Sequence, residues 1–140
     1  MSGATSTDVV RLTLESSLAV IAIERPAAKN SLRLDEMTAI GDAIGEAVSA
    51  GARAVLVRGT RHAFCAGRDL KDTHPGTDDT LAILRERINP VLVAVRDCPV
   101  PTIAAVQGPA LGFGFGLALA CDIVLVADDA LLGSPFRNIG

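Results

Sequence analysis

The amino-acid sequence predicts one α/β domain. Strand-like and helix-like segments alternate along its 140 residues, without internal repeats or low-complexity tracts. Two tight turns rich in small residues, Ala63–Leu70 and Gly108–Leu117, each follow a short apolar run. Turns at the ends of buried strands are where α/β proteins usually place their sites. We therefore expect these two turns to carry the function.

The first half of the chain predicts a hairpin, a helix and a buried strand. Val10–Leu14, with apolar residues at alternate positions, and Leu18–Glu24 together predict a β-hairpin. Pro26–Ser31 is predicted as a loop, because proline cannot donate to a strand ladder. From Leu34 to Val48 the apolar residues recur at helical spacing, and a glycine follows to end the helix. Ala54–Val57 then predicts a short buried strand.

The second half repeats this alternation around the second turn. Lys71–Asp79 is polar and contains Pro and Gly, which predicts a mobile loop. Leu81–Val95 is again helical in its spacing, with a kink expected at Pro90. A strand is predicted over Thr102–Val106, before the turn, and a helix over Leu117–Cys121, after it. The last predicted strands are Ile123–Ala127 and Ala130–Gly133.

Composition argues against several kinds of partner. The net charge is -3 and no basic run occurs, which disfavours nucleic acid or an anionic membrane. All apolar stretches are broken well short of a membrane span. Cys65, Cys98 and Cys121 form no C-x-x-C pair and fit reduced thiols, and the apolar neighbours of Cys65 predict a protonated packing thiol. Residues 1–8 lack the features of a signal peptide, so we expect a cytoplasmic protein.

The end of the chain is unusual for a self-contained domain. Gly140 comes soon after a predicted strand, with no closing helix and no polar tail in the sequence. Either the chain is a fragment or another chain covers the last strand, and we favour the fragment. We expect the 140 residues alone to be poorly stable or to aggregate.

Three blocks of residues resemble the crotonase (enoyl-CoA hydratase/isomerase) superfamily. Glu24–Leu32 is similar to its R-P-x-x-x-N-[AS]-L segment, and Ala63–Leu70 to its A-F-x-A-G-x-D-L loop. Gly108–Leu117 with Cys121–Ile123 resembles its G-x-A-x-G-x-G…C-D-I block. The blocks occur in the family's order and cover nearly the whole chain. The resemblance implies a crotonase-like ββα spiral core, truncated before the family's C-terminal helical part, and a homotrimer or hexamer.

The resemblance also implies an acyl-coenzyme A thioester as the substrate, with no separate cofactor. The family's two oxyanion-hole donors map onto the backbone N–H groups of Arg68 and Phe113. Negative charge develops on the thioester oxygen during proton transfer at the adjacent carbon, and losing one donor typically costs about 3 kcal/mol. The family usually has glycine at the second position, so the donor requires that Phe113 need no positive φ. Alternatively, Phe113 and Phe115 are core packing and the glycines only allow close helix–strand approach.

Coenzyme A is implied to lie over the first turn. Backbone groups of Cys65–Asp69 would meet the adenine, while Asp69 itself is better explained as an acceptor that fixes the loop. Lys29, Arg25 and Lys71 are candidates for phosphate contacts, although solvated surface charge explains each equally well. The Arg68 side chain is either exposed or reaches the pyrophosphate. The implied coenzyme-binding residues are Lys29, Cys65, Ala66, Asp69, Leu70 and Lys71.

Both carboxylates of the family's hydratases are missing. The two glutamates that serve as acid and base should fall at Gly116 and Phe136. Neither residue can transfer a proton, so the two-glutamate addition of water cannot run here. Two interpretations follow from the resemblance. The chain is either an enzyme whose proton-transfer residue lies elsewhere, with isomerase or hydrolase-like chemistry, or an acyl-CoA binder without catalysis.

A nucleotide-binding α/β domain is the third interpretation. Gly112–Gly116 reads G-x-G-x-G and Asp128 follows at a suitable distance, but Leu117 stands where the dinucleotide fingerprint requires glycine. No phosphate-loop motif and no nucleophile elbow occurs in the sequence. His62 and His74 have no Cys or His at metal-ligand spacing, so no metal site is predicted.

Overall fold

The computed structural model of the chain describes residues 7–139 and confirms the predicted α/β architecture. Residues 1–6, which belong to the segment predicted to lack a signal peptide, and Gly140 lie outside the described residues. The main sheet contains β1 (Val10–Glu15), β2 (Leu18–Ile23), β3 (Ala54–Gly59), β4 (Thr102–Val106) and β6 (Ile123–Val126), in that spatial order. Its first two strands are antiparallel and the others are parallel.

A second, two-stranded sheet and the helices complete the fold. β5 (Pro109–Leu111) pairs in parallel with β7 (Leu131–Gly133). The helices are α1 (Leu34–Ser49), α2 (Thr80–Ile83), α3 (Asn89–Arg96), α4 (Phe113–Ala120) and α5 (Phe136–Ile139). α1 packs on the hairpin of β1 and β2, while α3 contacts both α1 and α4.

The core lies between α1 and the main sheet. β2 is buried along nearly its whole length, and the apolar face of α1 contributes Met37, Ile40 and Ile44. Ile21 and Val57 are fully buried, at 0% exposure. Burying an aliphatic side chain of this size stabilises a fold by about 1.5–3 kcal/mol. The periodicity that predicted the hairpin and the helix therefore reflects real burial.

The C-D-I residues of the sequence have a structural role after α4. The Asp122 carboxylate accepts hydrogen bonds from the Thr102 N–H at 2.8 Å and the Thr102 hydroxyl at 3.2 Å. In return, the Asp122 N–H donates to the Thr102 carbonyl at 3.0 Å. These bonds fasten the chain leaving α4 to the start of β4, and they position β6 beside it.

Three local features differ from the sequence prediction. α4 begins at Phe113, four residues before the predicted start, because tertiary contacts outweigh the weak helix propensity of its two glycines. β5 lies inside the predicted turn, since its partner β7 is distant in sequence and leaves no local pattern. One helical turn, α5, also follows β7, where the sequence predicts no closing helix.

The helical segment between α2 and α3 is distorted next to Pro90, as predicted. Leu84–Ile88 forms a π-helical stretch, in which the Asn89 N–H bonds to the Leu84 carbonyl, five residues back. Proline has no N–H and its ring crowds the carbonyl four residues earlier, which prevents a regular α-helical ladder. The helix accommodates this by widening one turn rather than by ending.

A buried asparagine ties the loop after β2 to the first small-residue turn. Asn30 is fully buried and has a left-handed backbone with φ 58°, a conformation that asparagine tolerates better than most residues. Its Oδ1 accepts from the Arg25 N–H at 2.7 Å. Its amide nitrogen donates to the Ala63 carbonyl at 2.8 Å and to the Thr60 carbonyl at 3.2 Å. The asparagine of the R-P-x-x-x-N segment thus holds two loops together.

Replacing Asn30 by alanine should lower the free energy of unfolding by about 2–4 kcal/mol, because the Arg25 N–H and the Ala63 carbonyl lose their buried partner. Urea denaturation followed by circular dichroism measures the loss. Asn30→Gly is the matched control, since it removes the same hydrogen bonds but tolerates the positive φ. Stability of Asn30→Gly within 0.5 kcal/mol of the wild type, roughly the size of an ordinary surface change, would contradict the assigned role.

Candidate functional site

The turns after β3 and β4 are joined through their main chains. The two strands are parallel neighbours, so their carboxyl ends lie at the same edge of the sheet. The N–H groups of Phe64 and Cys65 donate to the Pro109 carbonyl at 3.0 and 3.1 Å, and the Leu111 N–H donates to the Cys65 carbonyl at 3.0 Å. A Cβ on Gly114 would overlap that same Cys65 carbonyl oxygen. The two turns therefore form one hydrogen-bonded unit.

The backbone N–H of Arg68, in the first turn, takes no part in this hydrogen bonding between the turns. Leu32 donates to the Gly67 carbonyl and accepts from the Asp69 N–H, both at 2.8 Å, in an isolated parallel bridge. Because backbone groups alternate in direction along an extended segment, the N–H of Arg68 points away from Leu32. Among residues 7–139, no main-chain oxygen accepts a hydrogen bond from it.

The second predicted donor has a suitable backbone conformation. Phe113 is the first residue of α4, where an N–H group has no acceptor within the helix. Its φ is not positive, since the left-handed conformation falls on Gly112, with φ 56°. A phenylalanine therefore fits this position without strain. A Cβ on Gly67 would lie only 3.6 Å from the Phe113 nitrogen, so the two amide-bearing segments are in contact.

Both predicted donors line one cleft with a volume of about 700 Å³. Its apolar lining comes mainly from the helical region that runs from α2 to α3 and from three phenylalanines: Ile83, Leu84, Ile88, Leu92, Phe113, Phe115 and Phe136. Polar side chains contribute Arg68, Thr73, Asp78, Thr80, Asn89 and Ser134. Gly116 also lines the cleft, so both positions expected to hold a carboxylate line the same space as Arg68 and Phe113.

The Arg68 side chain folds back onto the loop beside the cleft. Its Nη2 donates to the Asp72 carbonyl at 2.9 Å and to the Asp78 carboxylate at 3.1 Å, while its Nε is buried with no hydrogen-bond partner among the described residues. The His74 N–H, which also donates to Asp78, and the Arg68 guanidinium lower the pKa of this carboxyl. Asp78 is thus anionic at neutral pH, and its carboxylate links Arg68 to the His74 N–H within this loop.

The other backbone groups of the first turn are largely occupied. The Ala66 N–H donates to the Lys29 carbonyl at 3.0 Å, and the Asp69 carboxylate accepts from the Lys71 N–H at 3.0 Å, as expected for a loop-fixing acceptor. Burial raises the pKa of the Cys65 thiol to about 12, so it is a protonated packing thiol. Within Cys65–Asp69, no N–H group of the described residues donates to the carbonyls of Ala66 and Arg68.

The cationic candidates for phosphate contacts differ in their surroundings and in their exposure. Lys29 lines a second cleft of about 270 Å³ together with Arg61 and His62, and Lys71 is exposed. Arg25 is engaged in other contacts, which argues against both a phosphate contact and a solvated surface charge. Its guanidinium pairs with the buried Glu36, donates to a loop carbonyl at 2.9 Å and is only 17% exposed.

Sequence reasoning missed the contribution of Arg61 to the second cleft. Arg61 and Lys29 are far apart in sequence, and both have left-handed backbones, with φ 58° and 51°. Non-glycine residues with positive φ are uncommon and often mark turns of special shape. Gly59 and Thr60 precede Arg61 and are typical of a turn, but they do not indicate which residue takes the left-handed conformation.

Within residues 7–139, no group of three or more His, Cys, Asp or Glu side chains could hold a metal ion. Nor does that range contain a helix long and apolar enough to cross a membrane. His74 lies 3.8 Å from the Asp78 carboxylate, which makes it part of the loop beside the main cleft.

Comparisons with known proteins agree with this architecture. A family model described as "Enoyl-CoA hydratase/isomerase" matches residues 13–140. A Rhodobacter capsulatus protein named "Probable enoyl-CoA hydratase" is 38% identical over 135 residues, covering 94% of this chain and 51% of that protein. A Bacillus subtilis protein of the same name is 34% identical, with 95% and 52% covered.

Solved structures give the same result. An enoyl-CoA hydratase/carnithine racemase from Magnetospirillum magneticum superposes with a TM-score of 0.86 at 34% identity, covering 96% of this chain and 52% of that one. Pseudomonas aeruginosa OdaA gives a TM-score of 0.84 at 32% identity, with 96% and 53% covered. The fold is therefore the crotonase fold, as predicted. The chain belongs to the enoyl-CoA hydratase/isomerase family, and it spans about half the length of the curated relatives it matches.

Substituting alanine for Gly114 should destabilise the protein by about 1–3 kcal/mol or more, because a Cβ there would overlap main-chain atoms that cannot move independently. Thermal and urea unfolding measure the loss. Gly45→Ala in α1 is the matched control, since a Cβ at Gly45 meets nothing within 4 Å and alanine is the better helix former. Equal stabilities of the two variants would show that the turns are not tightly joined at Gly114.

Proposed function

We propose that the chain binds an acyl-coenzyme A thioester and polarises its carbonyl through the N–H groups of Arg68 and Phe113. One observation carries this proposal: Arg68 and Phe113, one from each small-residue turn, line the same cleft. Membership of the enoyl-CoA hydratase/isomerase family supports the choice of ligand over a nucleotide. A nucleotide-binding role has only the G-x-G-x-G pattern in its favour.

The proposed chemistry is stabilisation of negative charge on the thioester oxygen. When a proton leaves or joins the carbon next to the thioester, the carbonyl oxygen takes on enolate character. Two N–H groups fixed by main-chain bonds need no reorganisation to meet that charge, and the N-terminus of α4 adds a partial positive charge. The apolar lining strengthens both effects, because electrostatic interactions weaken less in a medium of low dielectric constant.

The cleft lacks the pair of glutamates that would transfer protons in the family's hydratases. Gly116 and Phe136 carry no titratable group. Asp78 is the only carboxylate among the described lining residues, and its hydrogen bonds to Arg68 and the His74 N–H favour a structural role. An enzyme with its acid or base elsewhere and a non-catalytic acyl-CoA binder both fit these observations. The absence of carboxylates at Gly116 and Phe136 favours the binder as the second candidate.

The coenzyme is proposed to cross the first turn toward the second cleft. The unbonded Ala66 carbonyl can accept from the adenine amino group, and Leu70 and Lys71 flank the path. Lys29, Arg61 and His62 line a second cleft whose charge suits phosphate groups. This placement keeps the expected coenzyme-binding residues and, among the candidates for phosphate contacts, replaces Arg25 with Arg61.

We also propose assembly into a homotrimer or hexamer in the cytoplasm. The support is a set of exposed apolar side chains around β6, β7 and the end of α4: Leu119, Ile123, Leu125, Val126, Leu131 and Leu132. Apolar residues concentrated in one region commonly mark a surface that is covered in the assembled protein.

Phe113→Pro tests the second donor directly, because proline removes the N–H and suits the first position of a helix. A cinnamoyl thioester of coenzyme A should show a red-shifted absorbance when bound, since polarisation of the carbonyl extends its conjugation. We expect the wild type to give the shift and Phe113→Pro to lose most of it. Difference spectroscopy measures the shift, and titration calorimetry measures affinity.

Phe113→Ala is the control for this comparison, since it removes the ring and keeps the N–H. A shift in Phe113→Ala together with its loss in Phe113→Pro supports the donor role. Equal shifts in the two variants would exclude the Phe113 N–H as a donor. Failure of the wild type to bind any acyl-coenzyme A thioester would overturn the proposed function itself.

Hydration of crotonyl-coenzyme A should be slow or absent, because each general acid or base contributes roughly 10²–10⁴ in rate and both are missing. Loss of the enone absorbance measures the rate. The double variant Gly116→Glu with Phe136→Glu should recover part of the activity. Phe136 is 58% exposed, so a glutamate there can ionise. Ordinary enzyme turnover by the wild type would show that another residue supplies the base.

A further inference from the structure

Gly116 is a glycine that the fold itself does not require. It lies inside α4 with a φ that is not positive, and glycine is among the weakest helix formers. A Cβ there would meet only the Leu92 methyl groups, at 3.5 and 3.9 Å, which is ordinary van der Waals contact. Gly114, two residues earlier in the same helix, is the opposite case, because its Cβ would overlap a carbonyl oxygen. The missing side chain at Gly116 therefore serves the cleft rather than the packing of the helix.

The space beside Gly116 is apolar. Leu84, Ile88 and Leu92 follow one another at four-residue intervals along the opposite helical segment, and all three line the cleft. Phe115 and Phe136 contribute further apolar surface. The charged groups of the lining, Arg68 and Asp78, are paired with each other, apart from the buried Arg68 Nε. An acyl chain that ends in a carboxylate would thus find no free cationic partner in this cleft.

The volume also exceeds the need of a small acyl group. Clefts of about 300–1,000 Å³ typically hold ligands of drug size, and this one measures about 700 Å³. A short acyl group held at the two amides would leave much of the surface around Leu92 and Phe136 in contact with water. A longer or aromatic group would cover that surface and gain hydrophobic free energy in proportion to the area buried.

We propose that Gly116 is a specificity-determining residue, which opens an apolar subsite for a bulky apolar acyl group such as a medium-length alkyl or an aryl-alkyl chain. The inference rests on the proposed function, because it assumes that the thioester lies at Arg68 and Phe113. It names the class of acyl group that this chain binds best. Gly116 acts through the space it leaves and takes no part in proton transfer.

Calorimetric titration with coenzyme A and with its acetyl, butanoyl, hexanoyl, octanoyl and adipyl thioesters tests the proposal. For the wild type, each added methylene should lower Kd about fourfold until the subsite is filled. Adipyl-coenzyme A, whose chain ends in a carboxylate, should bind more weakly than hexanoyl-coenzyme A, which has the same chain length. Gly116→Leu should flatten this dependence while leaving the affinity for coenzyme A itself unchanged.

Gly45→Leu is the matched control, because it places the same side chain in open space on α1 and should keep the wild-type dependence. If Gly116→Leu does not fold, Gly116→Ala replaces it and should reduce the preference for octanoyl over acetyl. A wild-type Kd that is independent of chain length, tighter binding of adipyl than hexanoyl, or an unchanged dependence in the folded Gly116 variant would each overturn the inference. Those outcomes leave the proposed function standing as long as acyl thioesters bind, whereas no binding of any thioester removes both.

Discussion

The pairing of two turns through the Pro109 and Cys65 carbonyls is the interaction on which the site depends. Pro109 accepts two hydrogen bonds from the first turn, and Cys65 accepts one from the second. These bonds fix the distance between the turn after β3 and the turn after β4. The sheet thereby positions the proposed donors, the N–H groups of Arg68 and Phe113. Because the proposed donors are main-chain groups, their geometry does not depend on side-chain rotamers. Gly67 and Gly114 allow the contact, since neither could carry a side chain here without displacing backbone.

A further set of polar contacts joins the first turn to the loop between β2 and α1. Arg25 pairs with the buried Glu36 at the start of α1, and its guanidinium lies 3.9 Å from the Asp69 carboxylate. Glu36 also accepts from the Arg33 N–H at 2.7 Å, which satisfies a donor at the helix N-terminus. A buried ion pair contributes little net stability, because desolvation offsets most of its attraction. Its contribution here is to orient the loop between β2 and α1 against the turn. The arginine of the R-P-x-x-x-N segment is thereby explained as a structural residue.

Local patterns predicted the elements whose neighbours are close in sequence. The hairpin, α1 and the strands β3 and β4 follow from alternation and helical spacing, because each buries one continuous face. The start of α4 and the strand β5 could not be found in this way, since contacts with Cys65 and with β7 decide them. For the site, the motif resemblance singled out Arg68 and Phe113, and both residues line one cleft. The pairing of Arg25 and the position of Arg61 required the fold, because each depends on residues brought together from distant parts of the chain.

The π-helical stretch before α3 is equivalent to one extra residue inserted into an α-helix. Each residue of an α-helix turns the chain by about 100°, so one residue inserted into a regular helix would rotate everything beyond it by that angle. The wide turn of the π-helical stretch absorbs the extra residue instead, so the residues on either side keep their faces. Leu92 lines the cleft, while Val91 and Val95 are buried in the core. The extra residue therefore lets the helical chain pass Pro90 with the cleft lining and the core face both in place.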